Sequence, residues 1–353
     1  MRAFQGIRTG LVFFDARHAV HFLGNRKDDA SDRVVKAQAM QRAIFLSTLG
    51  AGLLATTQSG NAAERVSVLH AGSLNTVFAQ RLAPEFERLT GLHAEGEGRG
   101  SVANAKLIAA GLKTPDVFLS ADTSVTRDLL KTGNGTIAWY ASFATTRMVI
   151  AYSLKSPFAT QLAEAARGAR RWYDVLRAPG MRIGRTDPAI DPKGYRTLIV
   201  ADLAERLYNI PNLRSALFGA QRNPDQTLTD EAILVRLEQG DIDVAFVYGV
   251  EATIRSLPTI ELDPRINLGD PRYAARYATA SETIEGVVRR GEPIEYAFTI
   301  PTRASNPSGG VAFLRYLIST DGRRALDAAG LQAQTPQFFG DLASVPEGLR
   351  SVR

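Results

Sequence analysis

The chain has 353 residues, a formal charge of +6 and no cysteine, which excludes disulfides and cysteine-ligated metal sites. Hydrophobic residues make up 45%, an ordinary share for a globular protein, and the length suffices for two domains of usual size. No Lys/Arg stripe with interleaved aromatics occurs, so a nucleic-acid partner is not expected.

Residues 1–63 read as a leader. They carry eight Lys/Arg and four Asp/Glu, leaving 34 basic against 32 acidic residues for the rest, so much of the alkaline character belongs to the leader. Met40-Gln41-Arg42 is a short basic segment, 43–55 is apolar, and 56–63 is small and polar, with Asn61-Ala62-Ala63 as a cleavage site. That pattern predicts a secretory signal starting at Met40, with 1–39 upstream of the true start. The apolar run is too short to favour a membrane span; the competing reading is a buried helix. The mature protein is expected to be soluble, exported and periplasmic.

Beyond the leader the pattern alternates strand and helix, which implies α/β layers with largely parallel sheets. Residues 65–70 alternate like a strand and lead through Ala71-Gly72-Ser73-Leu74 into an amphipathic run (Val77, Phe78, Leu82, Phe86, Leu89). Residues 93–98 form a second strand, ending at Arg99-Gly100-Ser101 before a helix over 102–112. Residues 115–120 read as a buried strand, followed by a helix through Leu130. The run 142–152 reads as one long strand crossing between lobes. A helix at 172–176 and a strand at 181–184 precede Asp187-Pro188-Ala189-Ile190-Asp191-Pro192-Lys193-Gly194-Tyr195-Arg196. There Asp191 suits an N-cap and Pro192 the first helical position of a helix to about Tyr208. The N–H groups of Lys193 and Gly194 are then placed at the positive end of a helix dipole, an arrangement suited to an anion. A helix at 228–239, a strand at 243–248, an irregular stretch at 263–277, a strand at 293–300 and helices at 309–317 and 322–329 complete the chain.

Three strand–Gly/Ser–helix junctions could thus converge on one anion. Each has a plainer reading: Ser73 and Ser101 as simple N-caps, Tyr248 as a core tyrosine, Arg196 as a surface or interlobe pairing residue. His70 and His93 read as strand-end residues, since few partners exist for a metal site or a triad. Glu95-Gly96-Glu97-Gly98-Arg99-Gly100 lacks the glycine spacing of a dinucleotide loop, and its glutamates would repel a pyrophosphate.

Several segments together resemble the molybdate/tungstate-binding proteins of ABC importers, closest to the tungstate/molybdate branch first recognised in archaea. They are His70-Ala71-Gly72-Ser73-Leu74, Pro115 through Asp122, Trp139-Tyr140 with Phe143-Ala144, Asp187 through Arg196, and Ile266-Asn267-Leu268-Gly269-Asp270-Pro271 with Tyr273 and Tyr277. The resemblance spans about 65–339. It implies a type II periplasmic-binding fold: two α/β lobes, a hinge and a ligand cleft, with lobe I at 64–145 and 262–345, lobe II at 146–261 and a tail at 346–353. It further implies that Ser73 and Ser101 donate to the anion and that the Asp191 junction supplies the second-lobe helix N-terminus.

The branch also carries an Asp at the position of Asp191 and a Glu within a Phe-Glu-Tyr pattern, both reaching the metal centre. Here that pattern is Phe246-Val247-Tyr248, and Val247 cannot be a ligand. Val247-Tyr248-Gly249 instead resembles the bacterial molybdate binders, whose tyrosine hydroxyl donates to the anion. A dianion facing two carboxylates needs direct metal–oxygen bonding; with one carboxylate left, Asp191 is better used as a cap. The expectation is a tetrahedral oxyanion held by Ser73, Ser101, the backbone at Gly194 and Tyr248, with Asp191 at the helix start, and no bare metal ion or cofactor. The partners implied are molybdate or tungstate and a membrane permease, with the chain a monomer. The competing functions are a binder of sulfate, phosphate or a small organic acid; a sensor subunit; and an exported hydrolase using Asp116, Asp122 or Asp191, for which no nucleophile–base pairing is present.

Overall fold

The computed structural model describes residues 65–350; the expected leader and its signal segment lie outside them. β1 (Arg65–Ala71) is buried at Val66 and Val68 and runs into tight helical turns over 72–82, then α1 (Ala83–Thr90). Gly91, at φ 72°, ends that helix in the left-handed conformation glycine favours. β2 (His93–Arg99), α2 (Ser101–Ala109), β3 (Val117–Ser120) and α3 (Thr123–Thr132) follow as the alternation requires.

The expected strand over 142–152 is two strands. β4 (Trp139–Thr146) and β5 (Met148–Tyr152) meet at Arg147 and belong to different sheets. Nothing in this apolar run breaks it locally; the break comes from an exchange of pairing partners. At the crossing, Met148 N–H donates to the Asn267 carbonyl at 2.8 Å and Gly249 N–H to the Arg147 carbonyl at 2.9 Å. Ile294 N–H donates to the Leu268 carbonyl at 2.8 Å, so the returning chain lies beside the outgoing one. Two adjacent crossings of this kind make a hinge.

The second lobe contains α4 (Ala159–Ala166), α5 (Trp172–Leu176), β6 (Ile183–Thr186), α6 (Pro192–Tyr208), α7 (Leu213–Phe218), β7 (Thr227–Leu228), α8 (Asp230–Gln239), β8 (Val244–Tyr248), α9 (Gly249–Ile254) and β9 (Thr259–Glu261). Helix α6 is buried without a break from Pro192 to Ala201, so it is a central helix rather than an amphipathic surface one. α10 (Ala274–Tyr277) and a hairpin, β10 (Ser281–Ile284) with β11 (Val287–Arg290), then precede β12 (Ile294–Thr299), α11 (Pro307–Leu317), α12 (Thr320–Ala328) and β13 (Gln332–Gly340). The hairpin bridges: Glu282 takes Arg214 of the second lobe at 2.7 Å, and Arg289 takes Asp128 of the first at 2.6 Å. Among the described residues no helix is long and apolar enough to cross a membrane.

The first sheet has the order β13-β4-β12-β3-β1-β2 and the second β7-β6-β8-β5-β9. Each is mixed rather than largely parallel. β2-β1-β3 and β7-β6-β8 pair in parallel, as βαβ units demand, whereas β12 and β13 in the first sheet and β5 in the second run opposite to their neighbours and make antiparallel ladders. The antiparallel members are the strands that flank the hinge, together with the edge strand β13. β13 carries Pro336 where its register with β4 shifts between Ala333 and Gln337, as an edge strand tolerates.

Asp116, one of the carboxylates open to a hydrolytic reading, is a structural tie. Its carboxylate accepts from Ser67 N–H and Ser67 Oγ at 2.8 Å each and from Asn306 N–H at 2.6 Å, joining β1 to the turn before α11. Asp116→Ala leaves buried N–H groups without acceptors and is expected to cost about 3 kcal/mol. Urea unfolding of the variant beside the wild type measures this, and a loss below about 1 kcal/mol contradicts the assignment.

Candidate functional site

The three strand-to-helix junctions lie at the carboxyl ends of parallel strands, where open α/β sheets hold their ligands. β1 delivers Ser73 in the turn Gly72–Leu74, β2 delivers Ser101 at the start of α2, and β6 delivers Asp191 before α6. Ser73 and Ser101 are both buried, and neither makes a side-chain cap to its own helix. Ser73 Oγ instead meets the Tyr296 hydroxyl at 2.8 Å. Ser101 Oγ accepts from Ala121 N–H at 3.0 Å, which leaves its own proton to donate.

Asp191 is the N-cap the sequence predicts, with Oδ1 accepting Lys193 N–H at 2.7 Å and Pro192 following. Gly194 N–H donates to the Asp191 carbonyl at 3.1 Å. The two backbone donors expected to face an anion are therefore both engaged within the turn. Tyr248, at the end of β8, accepts from Arg196 Nη1 at 2.7 Å, and burial pushes its phenol well up, so it stays protonated and able to donate. Val247 is packed into a separate apolar cluster with Val149 and Leu237, away from Tyr248. His70, stacked on Phe78 at 4.7 Å, is lowered by burial to about 4 and is neutral at physiological pH.

Sequence reasoning missed the charge at this seam. It assigns Lys193 a role only through its backbone, yet the Lys193 ammonium is buried, pairing with Glu251 Oε1 at 2.6 Å and with Asp230. Burial opposes that charge, but Asp230, Glu251 and Asp191 outweigh it and hold the Lys193 pKa well above its ordinary value. Burial raises the Asp191 carboxyl, Asp230 raises it further, and Lys193 only partly offsets them. Glu251 is likewise raised by burial against the pull of Lys193, while its Oε2 accepts Tyr248 N–H at 2.9 Å.

Arg196 is interlobe, as one of its two sequence readings has it, but buried rather than at the surface. It reaches from α6 to the Ala121 carbonyl at 2.7 Å and to Asp122 at 3.0 Å. The Tyr195 hydroxyl donates to the same Asp122 oxygen. The only sequence signal for these partners was the adjacency of Lys193, Tyr195 and Arg196 to a helix start.

The lobes touch closely around this seam. Ala103 N–H donates to the Ile190 carbonyl at 3.2 Å. Gly100 permits that approach, since a Cβ there would come within 2.2 Å of the Ile190 oxygen. Beside the contact lies a cavity of about 380 Å³ lined by Gly72, Asn75, Gly100, Asp191, Thr229 and Asp230, residues of both lobes.

Residues 66–332 match the model of the bacterial extracellular solute-binding proteins. The chain belongs to this family. A Haloferax volcanii protein provisionally named an ABC transporter molybdenum-binding protein is 35% identical over 311 residues, which is 85% of this chain and 95% of that one. An uncharacterised solute-binding protein of Petrotoga mobilis is 31% identical over 316 residues, covering 87% and 94%. Among solved structures, the periplasmic molybdate-binding protein of Azotobacter vinelandii aligns with a TM-score of 0.52 at 19% identity, over 77% of this chain and all of that one. PEB3 with bound L-phospholactate aligns at 0.51 and 11% identity, over 76% and 100%. These likenesses establish the two-lobed type II fold. The solute-binding protein thus shares the two-lobed fold and the family of these relatives.

Arg196 and Asp122 form a buried interlobe pair, so its loss has a defined sign. Burial pushes the Asp122 carboxyl up, but Arg196, Tyr195 and Ser124 together hold it below the ordinary carboxylate range. A carboxyl lowered on folding adds stability above its unfolded pKa and loses it as pH falls through the folded value. Asp122→Asn is expected to cost about 3 kcal/mol at neutral pH. The gap to the wild type should narrow as pH falls through and below the ordinary carboxylate range in urea titrations; a gap that persists in full there contradicts an ionic role.

Proposed function

We propose that this solute-binding protein captures a tetrahedral oxyanion, molybdate or tungstate, between its lobes and presents it to the membrane permease of an ABC importer. It would be exported as the leader predicts and act in the periplasm. The observation that carries the proposal is the linkage of hydroxyls across one buried seam: Ser73 meets Tyr296, whose ring lies 6.3 Å from that of Tyr248, and Ser101 holds Ala121, whose carbonyl takes the same Arg196 that donates to Tyr248. Hydroxyls that already accept a hydrogen bond have a proton to give, and neutral donors satisfy oxyanion oxygens without an added mobile charge. Arg196 donates to the Tyr248 hydroxyl and so turns its proton away from the guanidinium, while Asp122 balances the Arg196 charge. Ligand contacts to both lobes favour the closed form over the open one. The provisional name of the Haloferax relative supports the choice of ion.

A second reading comes from the cavity. Its volume of about 380 Å³ falls within the range of small-molecule pockets, and Asp191 lines it as an acceptor for a protonated group. The volume suits a small organic acid, and a carboxyl acceptor suits a protonated anion such as phosphate.

Isothermal titration of the ligand-stripped protein with molybdate, tungstate, sulfate, phosphate and phospholactate separates the two. One-to-one binding of the first two ions with sulfate and phosphate weak is the expected result. Ser73→Ala and Ser101→Ala should each then weaken binding by about tenfold, the worth of one hydrogen bond to a charged group. Preference for phosphate or phospholactate establishes the second reading instead.

A further inference from the structure

The hairpin β10–β11, with Gly291 and Glu292 after it, holds both lobes but by different kinds of contact. Its attachment to the second lobe is sheltered. Glu282 is buried and accepts from Arg214 Nη2 and from Gln221 Nε2 at 2.7 Å each, and the Thr283 carbonyl takes the same amide at 3.2 Å. Ile284 is buried beside them. At the base, Arg206 of α6 donates to the Thr279 carbonyl at 2.6 Å, and Gly291 lies so close to α6 that a Cβ there would come within 3.1 Å of Ile199. The attachment to the first lobe is ionic. Glu285 takes Lys106 of α2 at 2.7 Å, Arg289 takes Asp128 of α3 at 2.6 Å, and Glu292 takes Arg127 of α3 at 3.1 Å.

The tip of the hairpin is shaped for that reach. Ile284 pairs with Val287 across the two-residue turn Glu285-Gly286, whose φ values are 48° and 82°. Two positive φ values define the hairpin turn whose twist matches its strands. Glycine suits the second position, whereas a glutamate is uncommon at the first; its side chain is the one that meets Lys106. Arg289 is the most sheltered of the three contacts, its side chain 12% exposed. It also donates to Ser124 Oγ of α3 at 3.3 Å and lies 5.8 Å from the ring of Tyr195 on α6, so it stands where the lobes meet. Helices α2 and α3 begin at Ser101 and just after Asp122, at the seam itself. The hairpin thus grips the two first-lobe helices whose starts form one side of the seam, without itself lining the cavity.

We propose that residues 281–292 are an ionic latch of the closed form: fixed to the second lobe through Glu282, they clip α2 and α3 of the first and slow release of the bound anion. The inference rests on the oxyanion reading above. Parting the lobes at the hinge leaves the sheltered attachment intact and breaks the ionic one. Exposed ion pairs are individually weak, but these three resist a single motion together.

The test reverses charge at the exposed pair and then restores it. Lys106→Glu, Glu285→Lys and the double swap are compared with the wild type by release of radiolabelled molybdate or tungstate into excess unlabelled ion. Each single reversal is expected to speed release about fivefold, and the swap to return it to within about twofold of the wild type. Asp128→Asn, which strips Arg289 of its partner, should speed release at least as much. Release unchanged in the single variants, or a swap that fails to restore it, overturns the latch. A second readout needs no ligand: hydrogen exchange at the amides of 281–290 should quicken in each single variant and recover in the swap, and exchange that stays at the wild-type level also overturns the latch. A wild type that takes up neither ion defeats the oxyanion reading, while the exchange measurement still decides the latch.

Discussion

Two cations buried within one turn of the same helix set the terms for everything around them. Lys193 and Arg196 lie on the stretch of α6 that is buried at every position, and a buried charge is tolerated only when it is paired and hydrogen-bonded. The partners cannot come from α6 itself. Lys193 draws Asp230 from the start of α8 and Glu251 from α9; Arg196 draws Asp122 from the start of α3 and the carbonyl of Ala121. The starts of three other helices are therefore gathered to one place, and one of them belongs to the opposite lobe.

That gathering couples closure to electrostatics. The Arg196 pair crosses the lobes directly, while the Lys193 cluster reaches the first lobe through Asp230 and the backbone of Gly72. Around the pairs stand hydroxyls of Ser73, Ser101, Tyr248 and Tyr296, all buried and mostly already accepting or sharing a hydrogen bond. Such a seam is closed by polar contacts between side chains of both lobes. The two adjacent chain crossings, at Arg147 and near Leu268, lie between the sheets, so the lobes can move about them without disturbing either sheet.

The fold alone does not choose the ligand. The same two-lobed architecture, at comparable similarity, belongs to a molybdate-binding protein and to PEB3 with L-phospholactate, so the choice lies in the side chains at the seam. Here Asp230, Glu251 and Asp191 place three carboxylates around the buried Lys193 ammonium.

Much was legible locally. The Asp191-Pro192 start of α6, the alternation that implies an α/β fold and the inability of Val247 to act as a ligand follow from backbone chemistry and residue type within a few positions. The rest depended on partners far along the chain. The run across Arg147 divides because its two halves pair with different strands, and β13 was missed because its exposed, proline-bearing edge carries no apolar period. Lys193 showed only a backbone N–H at a helix start; its ammonium acquires a role from Asp230 and Glu251, which are 37 and 58 residues away. Local sequence thus determined where helices begin and which residue types stand there. Tertiary structure decided which buried charges face one another, because that pairing is set by contacts between elements and by the exclusion of water from the seam.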